Sequence, residues 1–188
     1  HHDLAMEIAT DETVLGNFDN FTMTHLGDAA RFYRKDGKFF VYTKGNKGEY
    51  TDFEVKYTFG WTPLQQYLIE FPRGHYQVLP FCWDSQPEEL GGQRWFHIYD
   101  QEKIPHDDIL FWTGKQQNWN HVCAECHSTN LKKNYDVENL AFNTHWKEID
   151  VSCDACHGPS ENHMKWAELN EKGKNTDRYT NMGYAFSF

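Results

Sequence analysis

The chain has 188 residues, with 18 Lys+Arg against 28 Asp+Glu and a net charge of −10. That balance excludes binding to nucleic acid through a basic patch, because phosphate is repelled. No apolar run approaches the roughly 18 residues of a membrane span, and 13 Gly and 6 Pro exclude collagen-like and low-complexity sequence. Leu, Ile and Val together number 24, fewer than the 31 Phe, Trp and Tyr. So thin an aliphatic supply beside so many rings suggests that a further flat, apolar group fills the interior.

Three regions are expected, at residues 1–20, 21–100 and 101–188. The first opens His1-His2-Asp3 with no initiator Met and no signal peptide. It reads as a tag remnant or as the start of a mature or internal segment, and Leu4 to Ala9 reads as a short helix. Residues 21–100 read as β. Asp36-Gly37 between Arg31–Arg34 and Phe39–Thr43 is a hairpin signal. Asn46-Lys47-Gly48 marks a turn before Phe53–Phe59, which alternates with period two. Gln66–Phe71 and His75–Leu79 flank Pro72-Arg73-Gly74, again like a hairpin, and Trp95–Tyr99 closes the series. The expectation is an antiparallel meander of four to six strands, inserted so that it shields the C-terminal region. Residues 101–188 read as short helices and long loops. One helix is expected up to and through Cys123–His127, another over Glu161–Lys172 closed by Gly173.

The last region carries the chemistry. Four of five cysteines form two pairs, each followed by His: Cys123-Ala124-Glu125-Cys126-His127 and Cys153-Asp154-Ala155-Cys156-His157. Cys-x-x-Cys-His is the attachment signature of haem c. Residues three and four apart share a helix face. The two thiols can therefore reach the two vinyl groups of one porphyrin, with His127 or His157 under the iron. A four-thiolate zinc ribbon is the rival reading, but 26 residues separate Cys126 from Cys153, and zinc gives no reason for either His. Cys82 reads as a buried structural thiol. His163 follows His157 by six residues, too few to circle its own porphyrin easily, so as a ligand it serves a neighbouring haem. The same argument denies His121 its own haem. His1 and His2 are free to reach across from the N-terminus, His2 being the closer to the expected helix. His25, His75, His97, His106 and His145 read as ordinary histidines.

The sequence resembles the multihaem cytochromes c of the cytochrome c-554 type, including larger relatives with tetratricopeptide repeats. The resemblance runs through His1–Met6, Tyr57–Gly60, Leu64–Pro72, Trp83–Ser85, Gly92–His97, Asn118–Asn120, Cys123–Leu131 and Glu148–Pro159. It implies further haem motifs before and after this stretch, so the chain looks like an internal segment. It also implies that His1 or His2 ligates the haem on Cys153 and Cys156. His163 then ligates a haem with no attachment site here, held by another segment or chain.

The expected fold class is α+β: an antiparallel β-meander followed by a helix-and-loop multihaem cytochrome c region. The expected function is electron transfer by a periplasmic or extracellular cytochrome with two covalent haems c. The aromatics, including Trp119, Trp146 and Trp166, are expected to pack the porphyrin faces. The acidic surface suits a basic redox partner protein. The alternative is a haem enzyme acting on a small nitrogen or sulfur species at a five-coordinate iron.

Overall fold

The computed structural model describes residue 4 and residues 6–184; His1 and His2 lie outside them. The strands are β1 (Met6–Ile8), β2 (Phe21–His25), β3 (Asp28–Lys35), β4 (Lys38–Lys44), β5 (Tyr50–Phe59), β6 (Leu64–Phe71), β7 (His75–Val78), β8 (Phe81–Asp84) and β9 (Arg94–His97). These nine form one antiparallel sheet. Its path is β2-β3-β4-β5-β6-β8-β9, with β1 added to β5 and β7 to β6. The short helices α1 (Trp119–Val122), α2 (Ala124–His127), α3 (Cys153–His157) and α4 (Glu161–Glu171) come after the sheet, with a two-stranded ribbon of β10 (Tyr135–Asp136) and β11 (Ala141–Phe142) between α2 and α3. The class is α+β with most of its weight in the sheet.

The expected hairpins form. Lys35 pairs with Lys38 across Asp36 and Gly37, both at positive φ (52° and 72°), the two-residue turn whose twist matches the strands. Phe71 pairs with His75 around Pro72–Gly74. Three expectations need correction. Where a helix was expected over residues 4–9, Met6–Ile8 is a strand on the part of β5 that β4 leaves unpaired. A segment this short follows the open sheet edge rather than its own propensity. Among the described residues the sheet has nine strands, because β2 and β8 also join. β2 alternates Thr with larger residues and carries little hydrophobic signal, and β8 is four residues directly after Pro80. The helix through the first motif is two four-residue turns meeting at Cys123.

Side-chain alternation gives the sheet its inside. Ala30, Phe32, Phe39, Val41, Tyr67, Ile69, Phe81, Trp83 and Trp95 share one core with Phe18. Phe18 meets Phe32, Phe39, Tyr67 and Trp95 edge-to-face at 5.1–5.8 Å. The flat groups inside the sheet are thus the protein's own rings. Buried Gln65 anchors the segment that delivers Phe18: its Oε1 accepts from Leu15 N and Tyr67 Oη, and its amide donates to Thr13 O. Gly16 has to be glycine, since a Cβ there would lie 2.5 Å from Tyr67 Oη.

β6 is buried on both faces. Leu68 points away from Tyr67 and Ile69 into a second core with Met6, Val78, Trp119 and Ala124, against which Cys123, Leu131 and Trp146 pack. The sheet and the first Cys-x-x-Cys-His motif therefore share a hydrophobic contact.

The sheet curls until its two ends meet. His25 closes β2, His97 closes β9, and their rings stack at 4.0 Å and 6°. Asp28, Lys44, Glu102 and Lys103 line the same cleft. Burial, then the neighbouring His25, pushes His97 down to about 4. An unfolded chain takes up this proton at about pH 6.5, so the unfolded state binds more protons in between. The stability contributed by neutral His97 is full above about pH 6.5 and is lost as pH falls towards 4. Denaturant midpoints of wild type and His97→Phe, measured across that window, should converge at the acid end. A constant difference would show that His97 does not titrate there.

Candidate functional site

The first motif is held by the tripeptide in front of it. Asn118 caps α1, its side chain accepting from His121 N at 3.0 Å, and its amide donates to Tyr76 O at 3.3 Å. Asn120 is fully buried. Its Oδ1 accepts from Tyr76 N at 2.7 Å, and its amide donates to Gly74 O and Thr144 Oγ1. Both asparagines thus bind the backbone of β7 or its turn, while Trp119 between them fills the second core against Tyr76 and Trp146. The helical turns inherit their position from the sheet.

Cys123 N donates to Trp119 O and Cys126 N to Cys123 O, so the chain stays coiled through the motif. Cys123 is half-buried, and its thiol is pushed up by burial and then by Cys126; Cys126 is exposed. The His127 ring leans on Phe59 at 4.3 Å. Burial lowers its affinity for a proton, favouring the neutral imidazole that ligates metals. His127 Nδ1 is buried without a hydrogen-bond partner.

The second motif is α3, five residues long, with Cys153 and Cys156 both exposed. It ends at Gly158, whose φ of 73° stops the helix. Asp154 accepts from Ser160 N and from Lys147 Nζ, both at 3.0–3.1 Å, and these partners hold its carboxyl below the usual range. The His157 ring lies 4.9 Å from Tyr184.

Thr129, which sequence reasoning passed over, joins the motifs. It is fully buried two residues after His127. Its backbone pairs with Lys147 and Glu148. Its hydroxyl donates to Asp150 O and accepts from Ser152 N, both at 2.9 Å. Ser152 immediately precedes Cys153. The only sequence signal for Thr129 is its place between one motif and the strand-like pairing that leads to the next.

His163 sits on α4. Its Nδ1 is 2.8 Å from Met182 O and its Nε2 2.8 Å from Tyr184 Oη, with the rings of Tyr184 and Trp166 near-parallel to it at 3.8 and 5.6 Å. An iron ligated by His163 would replace one of these bonds. α4 itself spans the expected residues and ends one residue short of Lys172, with Gly173 beyond it at positive φ. His1 and His2, the other expected distal ligands, lie outside the described residues. His145 is exposed and pairs by backbone with Lys132.

All five cysteines are free thiols. Among the described residues no three His, Cys, Asp or Glu side chains converge as a metal site. The donor set suits covalent haem: free thiols on a helical turn, followed by an imidazole. No described helix is long and apolar enough to cross a membrane. Residues 93–158 match the family model of cytochrome c554 and c-prime, a stretch running from β9 through both motifs to Gly158. No curated protein and no solved structure matches the chain.

Proposed function

We propose that this chain, of the cytochrome c554 type over residues 93–158, is an exported electron carrier with two covalently bound haems c. The observation that carries the reading is the repeated motif: two helical turns, each presenting a pair of free thiols and a following His. Cys123, Cys126 and His127 would hold one haem, and Cys153, Cys156 and His157 the other. The bound iron supplies a centre that gains and loses one electron. The chain's part is to orient and insulate. Phe59 packs against the His127 ring, and Asn118 and Asn120 tie that motif to β7. The net charge of −10 favours salt-sensitive docking to basic redox partner proteins.

Produced in a host with periplasmic haem c attachment, the chain should exceed its polypeptide mass by two haems under denaturing conditions. A mass equal to the bare chain, or to chain plus zinc, overturns the reading. The visible spectrum separates carrier from enzyme: a low-spin spectrum belongs to a carrier. A high-spin component that shifts with nitric oxide or nitrite belongs to an enzyme acting on small nitrogen species.

A further inference from the structure

The two attachment sites differ in what surrounds them. When Nε2 of an imidazole ligates iron, Nδ1 keeps its proton, and a ligating His almost always donates that proton to a carbonyl, a carboxylate or water. Such a bond makes the imidazole a stronger electron donor and favours ferric iron; without it, ferrous iron gains. His127 Nδ1 has no hydrogen-bond partner among the described residues, and it is shut off from solvent, so water cannot supply one. Phe59 leans on the ring from β5 at 4.3 Å, and its side chain offers no acceptor. No ring nitrogen of His157 is in that condition.

Burial works in the same direction. Cys123 packs with Phe59, Leu131 and Trp146 against the second core, which also holds buried Ala124. In α3 no residue is buried, and both its thiols are exposed. An apolar shell disfavours the more highly charged state, and ferric haem carries one positive charge more than ferrous.

We propose that His127 makes the haem on Cys123 and Cys126 the high-potential one of the pair, so that an electron arriving at the other site comes to rest there. The transfer balances within the chain. The iron held by His157 goes from ferrous to ferric as the iron held by His127 goes from ferric to ferrous, and no proton moves. The proposal rests on the two-haem reading and adds a direction to it, from exposed α3 towards the sheet.

The test is a potentiometric titration of the haem-loaded full chain, followed by visible absorption. The double variants Cys123→Ser/Cys126→Ser and Cys153→Ser/Cys156→Ser assign each wave. The haem on Cys123 and Cys126 should hold the shared electron at least about tenfold more firmly than the other, a separation of about 59 mV or more. Phe59→Gln sets an amide oxygen beside the His127 ring and should shift that wave to lower potential, with the other wave unmoved. Phe59→Leu loosens the packing without adding an acceptor and should shift it less. Equal potentials or the reverse order overturn the proposal. So does a Phe59→Gln wave that stays in place or moves no further than that of Phe59→Leu. If Phe59→Gln does not fold, the order of the two wild-type waves still decides. A mass showing fewer than two haems fails the carrier reading and this proposal with it, whereas two haems in the wrong order leave the carrier reading standing.

Discussion

Replacing Cys123 and Cys126 together by serine should give a protein carrying one covalent haem, and replacing Cys153 and Cys156 should do the same. A thioether needs a thiol, and a serine hydroxyl does not form one. Neither pair rescues the other, because the four thiols do not converge. Cys82→Ser is the control. Cys82 is fully buried in β8, and burial pushes its thiol up to about 12. Its replacement should leave two haems in place at a packing cost of about 1–2 kcal/mol. Intact mass under denaturing conditions reads all three variants. A Cys82→Ser protein with one haem, or a double-serine variant with two, would contradict the attachment scheme.

Phe18→Ala should strongly destabilise the sheet it packs into, by about 3–5 kcal/mol. Phe18 is 1% exposed, and four rings present their edges or faces to it. Those rings come from β3, β4, β6 and β9, which cannot all collapse into the same hole. Phe21, three residues on, is 40% exposed. Phe21→Ala should therefore cost no more than about 0.5 kcal/mol, as surface changes usually do. Denaturant midpoints at constant slope measure both. A loss below about 1 kcal/mol for Phe18→Ala would mean that the interior closes over the cavity.

The contrast between Phe18 and Phe21 shows where the sequence was legible. The helical turns at Cys123–His127 and Cys153–His157 could be read because their signal is local: thiol, thiol and imidazole need only one turn. The Asp36-Gly37 hairpin could be read because its turn demands positive φ at both residues. Nothing local marks Phe18. Its burial depends on Gln65, some fifty positions away, holding the backbone around Leu15 and Gly16. The strand Met6–Ile8 was equally hidden, since the edge it fills on β5 exists only after β4 has ended. Two-sided burial of β6 looks in sequence like any apolar run. The Asn118-Trp119-Asn120 tripeptide was legible only as a likeness. Its hydrogen bonds to β7 supply the physical reason for it.

Thr129 has a consequence for timing. The covalent path from Cys126 to Cys153 runs through 26 intervening residues, and a free loop of that length would let its ends wander. The threonine hydroxyl cuts this path short by gripping Asp150 and Ser152, so the two helical turns are spaced by one buried side chain. Tunnelling between redox centres weakens steeply with separation. For haems seated on those turns, Thr129 would act as a ruler: the gap, and with it the speed of the internal hop, would be settled once, when the protein folds, and would not have to be found again for each electron.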